Sequence, residues 1–236
     1  MCINERKYLQ SITNIEKANM AKGAKEHARE VQLLVQSLNV FVSGFNNLPA
    51  FEINDENQAE YVWLCTSIRC FHSLRCALDL TLKGYYSQSL TLARTIIEDW
   101  FVSEAAKENE ALQEWLINGQ GSEPNYYALA KHPSRKNVYA QDYRFSSSFA
   151  HSSKRSFAVL HDPHTLQMVV APAENDVLFM ACIELLARSS LLMIERLLHL
   201  LTYANGTEKA LDWAKENNPA VTALSDWLQE LPKRYG

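Results

Sequence analysis

Apolar residues recur at helical spacing along almost the whole chain. From about Ser11 to Phe45 a polar stretch gives way to Val31, Leu34, Val35, Leu38 and Phe41, one face of a long helix. Asn46-Asn47 and Pro49 end it, and Asn54-Asp55 can cap a second helix that runs to Lys83 and stops at Gly84. A third helix starts near Ser87 and reaches about Lys107, with Leu90, Ala93, Ile97 and Phe101 as its stripe. A shorter one covers 110–117, before the Gly119-Gln120-Gly121 turn. The stretch 125–153 is broken at His132-Pro133 and resumes as helix near Arg135. Segment 161–172 is the least regular and holds the single strand-like run, Thr165–Val170. Asn175-Asp176 then caps a long apolar helix ending at Asn205-Gly206. Two amphipathic helices close the chain, one carrying Leu211 and Trp213, the other Val221, Leu224, Trp227 and Leu228. The pattern predicts an all-α helical bundle, with a core over about 59–201, an N-terminal helical extension over about 1–54 and C-terminal helices over about 207–231. No linker divides it, so one domain over 1–236 is expected.

Composition agrees. The 236 residues hold only 7 Gly and 7 Pro, too few for the hairpins of an all-β fold. A net charge of −4 excludes global attraction to nucleic acid or membranes, though not a local patch. Five cysteines, three of them (Cys65, Cys70, Cys76) in one apolar-periodic helix, read as free thiols in a reducing, cytoplasmic setting. No apolar run follows the charged residues of 3–10, so no leader is expected there. The richest apolar stretch, 177–201, is interrupted by Glu184, Arg188, Glu195 and Arg196, which predicts a core helix and no membrane span.

Charge on helix faces supplies the candidate chemistry. At 100° per residue, His72, Arg75 and Asp79 share the face of Tyr61, Leu64, Cys65, Ile68 and Leu82. Buried charge requires partners, so Arg75 and Asp79 are expected to neutralise each other or meet a neighbouring helix. Arg94 and Glu98 edge the third helix as an i,i+4 pair. Segment 131–155 carries Lys131, Arg135, Lys136, Arg144, Lys154 and Arg155 against Asp142 alone, a local charge of +5. Tyr126, Tyr127, Tyr139, Tyr143, Phe145, Phe149 and Phe157 interleave or flank it. Such a segment suits RNA through phosphate contact and base stacking, or an acidic protein surface. Within it Arg144, Ser147, Ser148 and His151 fall on one stripe, with Val138, Phe145 and Phe149 turned to the core. An imidazole with a neighbouring guanidinium can cleave RNA without metal, His151 moving the proton and Arg144 holding the phosphoryl charge.

Arg144-Phe-Ser-Ser-Ser-Phe-Ala-His151 resembles the Arg-to-His motif of the HEPN superfamily, small α-helical domains that include prokaryotic toxins and defence nucleases. Two further stretches, Lys83-Gly-Tyr-Tyr-Ser-Gln-Ser-Leu-Thr-Leu-Ala-Arg94-Thr-Ile-Ile-Glu98-Asp99 and Phe149-Ala-His151-Ser152-Ser153, are similar to a family of helical prokaryotic proteins of uncharacterised function near that fold. Members carry an Arg-x-x-x-Glu helix followed by a helix ending in His-x-Ser, here Arg94, Glu98, His151 and Ser153. The resemblance covers roughly 59–201 and implies a HEPN-like core. It leaves two functions open: a non-catalytic binding module of a stress or defence system, whose polar cluster only ties helices together, or a metal-independent endoribonuclease with His151 as acid/base, Arg144 holding the phosphate and Arg94 and Glu98 orienting them; Ser147, Ser148 and Ser153 are further binding or orienting candidates. It also implies a homodimer, as does the surplus of apolar helix faces.

His161-Asp-Pro-His164, with His151 and Glu98 or Asp99, lacks the spacing of an organised metal site, so neither metal nor cofactor is expected. No phosphate loop, Gly-x-Ser-x-Gly elbow or dinucleotide fingerprint occurs, and no compact basic recognition helix marks a helix-turn-helix regulator.

Overall fold

A computed structural model describes residues 2–50, 52–54, 56–120, 125, 128–129, 131–150, 172 and 175–235. The protein is an all-α bundle, with helices α1 (Cys2–Glu26), α2 (Ala28–Asn46), α3 (Gln58–Lys83), α4 (Tyr86–Ala106), α5 (Glu110–Asn118), the composite α6 (133–150), α7 (Asp176–Asn205) and α8 (Thr207–Tyr235). The strand-like run Thr165–Val170 lies outside the described residues.

The apolar helix α7 is the central element. Ile183, Leu186, Met193 and Leu197 are fully buried along it, and it packs against α2, α3, α4 and α8. It is long and apolar enough to cross a membrane, but here it forms the middle of the core. Its start follows the expected cap, with the Asn175 side chain accepting from the Leu178 N–H at 3.0 Å. Asn109 caps α5 in the same way. Gly84 ends α3 in the left-handed conformation at φ 91°, and Tyr85 N–H then reaches back to the Leu80 carbonyl. The stripe of α4 is the expected one: Leu90, Ala93, Ile97 and Phe101 are all fully buried.

The predicted long N-terminal helix is two helices, parted at His27 (φ −119°, ψ 35°). Of the five apolar positions expected to face inward on α2, Leu34 and Phe41 do so, whereas Val35 stands exposed. On α3 the expected face is corrected by a rotation. The buried residues are Val62, Trp63, Thr66, Ser67, Cys70, Leu74, Ala77, Leu78 and Thr81, while Ile68, His72, Arg75 and Asp79 face solvent. Asp79 pairs with Lys83 at 2.7 Å, one turn on, and not with Arg75. Three hydroxyls, Thr66, Ser67 and Thr81, share this otherwise apolar face, and those of Thr66 and Thr81 can be buried because they are bonded to their own helix. Thr66 donates to the Val62 carbonyl (2.9 Å), and Thr81 donates to the Ala77 carbonyl and lies 2.7 Å from the Ser89 hydroxyl across the α3–α4 contact.

Two closing helices were expected, and one is found. Pro219 sits inside α8, where a proline ordinarily costs about 3 kcal/mol. The inward stripe Ala210, Trp213, Asn217, Ala220, Leu224, Trp227 and Leu231 keeps its 3–4 spacing across the proline, so packing holds the helix together. Trp213 and Asn217 both donate to the Ser43 hydroxyl of α2, at 3.1 and 3.3 Å.

Gly44 lets α2 and α7 close on each other. A Cβ there would lie 2.9 Å from Leu197 Cγ, and Leu197 is fully buried with nowhere to move. Gly44→Ala should therefore destabilise the fold by about 1–2 kcal/mol despite the better helix propensity of alanine. Urea titration checks this, and Leu197→Ala in the same chain should remove the added penalty.

Candidate functional site

The polar cluster read from the sequence forms where α6 crosses α4. Pro133–Arg135 is a 3-10 turn, Lys136–Val138 a short α segment, Tyr139–Tyr143 a π-helical turn and Arg144–Ala150 an α segment. Phe149 is buried, with Val138 and Phe145 packed against the core as expected. Phe145 and Phe149 meet edge to face at 5.2 Å.

Arg94 and Glu98 are together, as their spacing requires. Arg94 Nε donates to Glu98 Oε1 at 2.9 Å and its Nη2 lies 2.8 Å from the same oxygen, both side chains about one-fifth exposed. The sequence reading missed their third member. Tyr143 donates to Glu98 Oε1 at 3.0 Å, accepts from Arg94 Nη2 at 3.2 Å, and lies face-on to the guanidinium at 5.3 Å. Burial opposes the Arg94 charge, but Glu98 and Tyr143 outweigh it and hold the guanidinium above its usual range. Burial and the Glu98 carboxylate raise the Tyr143 phenol, so it remains a neutral donor. Each charge or hydroxyl of this trio is matched within it, so it fixes α6 on α4. Tyr143 also stacks on Tyr139, one turn earlier in α6, at 5.4 Å.

Arg144, next in the chain, is exposed and has no ion-pair partner among the described residues. The stripe it was expected to share is not uniformly open. The Ser147 hydroxyl is buried beside Tyr143, and Ser148 donates to its own helix at the Phe145 carbonyl (2.6 Å). His151 and Ser153 lie outside the described residues, as do Tyr126, Tyr127, Phe157, Lys154, Arg155, His161 and His164.

The basic face is narrower than its sequence. Lys131, Lys136 and Arg144 are exposed, but Arg135 is buried, donating to the Leu129 carbonyl at 2.7 Å. Burial lowers its pKa against the pull of Glu104 and Glu108. A groove of about 430 Å³ runs between α6 and α7, lined by Gln141, Asp142, Phe145, Ala181, Glu184, Leu185 and Arg188. Arg188 is bound to Glu184 at 2.8 Å, and burial raises the Asp142 carboxyl.

Asp99, on the turn after Glu98, was weighed as a metal ligand. It is buried against Arg69 at 3.3 Å and beside Cys70. Cys65, Cys70, Cys76 and Cys182 are free thiols. Comparison of the chain with protein-family models, curated proteins and solved structures finds no match.

Proposed function

We propose that the chain is a non-catalytic, HEPN-like binding module that offers the exposed basic face of α6 to an acidic partner, RNA or an acidic protein. One observation carries the reading: Arg94, Glu98 and Tyr143 satisfy one another, so this polar cluster is accounted for by joining two helices. The basic residues that α6 exposes are Lys136 and Arg144, on a chain of net negative charge. The residues 83–99 and 149–153 that resemble a prokaryotic helical family support a place in a cytoplasmic stress or defence system. Val35 and Val42, exposed one above the other on α2, suit the homodimer that the resemblance implies.

The exposure of Arg144 favours a second reading, in which it holds a phosphate while His151 moves the proton of a metal-independent endoribonuclease. Single-stranded RNA added to the full chain in EDTA separates the two. The binding module should retain RNA intact, with affinity falling as salt rises and by about tenfold or more in Lys136→Glu/Arg144→Glu. RNA cleavage lost in both Arg144→Ala and His151→Ala would establish the nuclease instead. No RNA binding at low salt would leave the acidic protein as the partner of the basic face.

A further inference from the structure

The joint between α1 and α2 meets the first turn of α7, and three donor groups converge there. His27 occupies the joint itself, with a backbone that is no longer helical and a side chain that caps nothing. Its ring lies flat on Phe179 of α7, centroids 4.4 Å apart and planes 22° from parallel. Gly23, one turn earlier, makes that stacking possible: a Cβ there would sit 3.2 Å from Phe179 Cε2. The imidazole is thus held by packing, as ligand side chains must be.

What the packing leaves is a nitrogen without a partner. His27 Nε2 is buried and makes no hydrogen bond. The nearest acceptor, Asp176 Oδ1, is 3.6 Å away, beyond hydrogen-bond range. Two ligands of one tetrahedral zinc, each bonded at about 2.1 Å, stand ~3.4 Å apart. The gap too long for a proton is therefore the right length for a shared cation. Glu26 adds a carboxylate, and the three donor atoms lie within 4.8 Å of one another. A cavity of about 10 Å³ opens among Asn19, Lys22, Glu26, His27, Tyr86, Asp176 and Phe179, close to the volume of a single small occupant.

We infer that Glu26, His27 and Asp176 form a binding site for a divalent first-row transition cation of the zinc type. One imidazole and two carboxylates are borderline to hard donors, which suits zinc better than the thiolate-seeking copper(I). Three protein ligands leave the fourth tetrahedral position to water. Two local groups oppose the cation. Lys22 lies 3.5 Å from Glu26 and must turn away as Glu26 closes in, and the N-terminal end of α7 is the positive end of its dipole. The Asp176 carboxylate answers the second. The bound ion clamps the α1–α2 joint to α7, the central helix, and so couples the N-terminal extension to the core. This inference stands on residues separate from the basic face and does not depend on its function.

Titration of the chelator-stripped full chain with zinc, followed by calorimetry, tests it. One zinc per chain is expected, with affinity reduced at least about tenfold in His27→Gln and in Asp176→Asn, each confirmed as folded by circular dichroism. Asp176 is largely exposed, so its variant carries the test if the His27 variant fails to fold. Cobalt(II) in place of zinc should give a visible d–d spectrum without thiolate charge transfer. The inference is overturned by the absence of one-to-one binding, by variants that bind as tightly as wild type, or by a thiolate band that would place the ion on Cys65 or Cys76.

Discussion

Arg196→Met is expected to destabilise the protein by about 3–5 kcal/mol, enough to threaten folding in a domain of ordinary stability. Arg196 lies on α7 with a side chain one-tenth exposed, 2.8 Å from Glu104 of α4. It also lies over the Trp63 ring of α3 at 5.7 Å, so one guanidinium touches three helices. The pair is held by charge more than by hydrogen-bond alignment, since Arg196 Nε and Glu104 Oε1 make no hydrogen bond. Removing the cation leaves the Glu104 carboxylate only one-fifth exposed, with Arg135 as its remaining nearby cation, and that poorly solvated charge sets the size of the loss. Replacing both partners, as Arg196→Met/Glu104→Met, should recover most of the stability because no unpaired charge remains. Denaturant titrations of the two singles and the double give the coupling directly. Equal losses in Arg196→Met and in the double variant would show that the packing of the arginine stem, and not the charge, was lost.

Asp99→Asn should act in the opposite direction. The Asp99 side chain is about 5% exposed, and one of its oxygens, Oδ2, has no hydrogen bond. Burial raises its pKa to about 7 from 3.8, against the pull of Arg69, with Glu98 adding to the rise. Below the unfolded value both states hold the proton and the group contributes no pH dependence. Between about pH 4 and 7 the folded state keeps a proton that the unfolded state has released, so stability declines as pH rises through that window. Above it the folded protein carries a buried, half-satisfied carboxylate. The asparagine variant should lack this decline and exceed wild type at pH 8 by on the order of 1–3 kcal/mol, less than the full shift converted at ~1.4 kcal/mol per unit, because its amide must also find an acceptor. Unfolding free energies at pH 4 and pH 8 check both the slope and its removal. A wild-type slope that persists in Asp99→Asn would assign the titration to another group.

The parts of the fold that could be read from the sequence are those governed by local rules. Gly84 and Asn175 stop and start helices through their own backbone and side-chain geometry, and the α4 stripe is apolar throughout. The face of α3 was misread because hydropathy ranks Ile68 above Thr66 and Ser67, whereas close approach to a neighbouring helix favours the small residues, with the Thr66 hydroxyl bonded to its own helix. The single closing helix is not legible as one because the stripe that continues across Pro219 matters only once α2 and α7 are in place. The site divides the same way. Arg94 and Glu98 are one turn apart and pair locally, so their contact followed from spacing. Tyr143 joins them across 45 residues, and Arg135 is buried by a fold its own charge argues against; neither is visible without the packing.

Helix α6 combines two irregularities of opposite sense. The 3-10 turn at Pro133–Arg135 rotates the chain further per residue than an α-helix, and the π turn at Tyr139–Tyr143 rotates it less. Their errors cancel, so Arg135 at one end and Ser146 and Phe149 at the other point inward while Arg144 points out. Such a helix behaves as an indexed shaft. About five π residues turn the chain as far as about four α residues, so the loss of one from 139–143 heals to a regular α turn, and the loss of a second turns everything beyond it by roughly one α-helical step of 100°. The length of that turn, and not the identity of any side chain in it, thus sets which residues of 144–150 the protein shows to the outside.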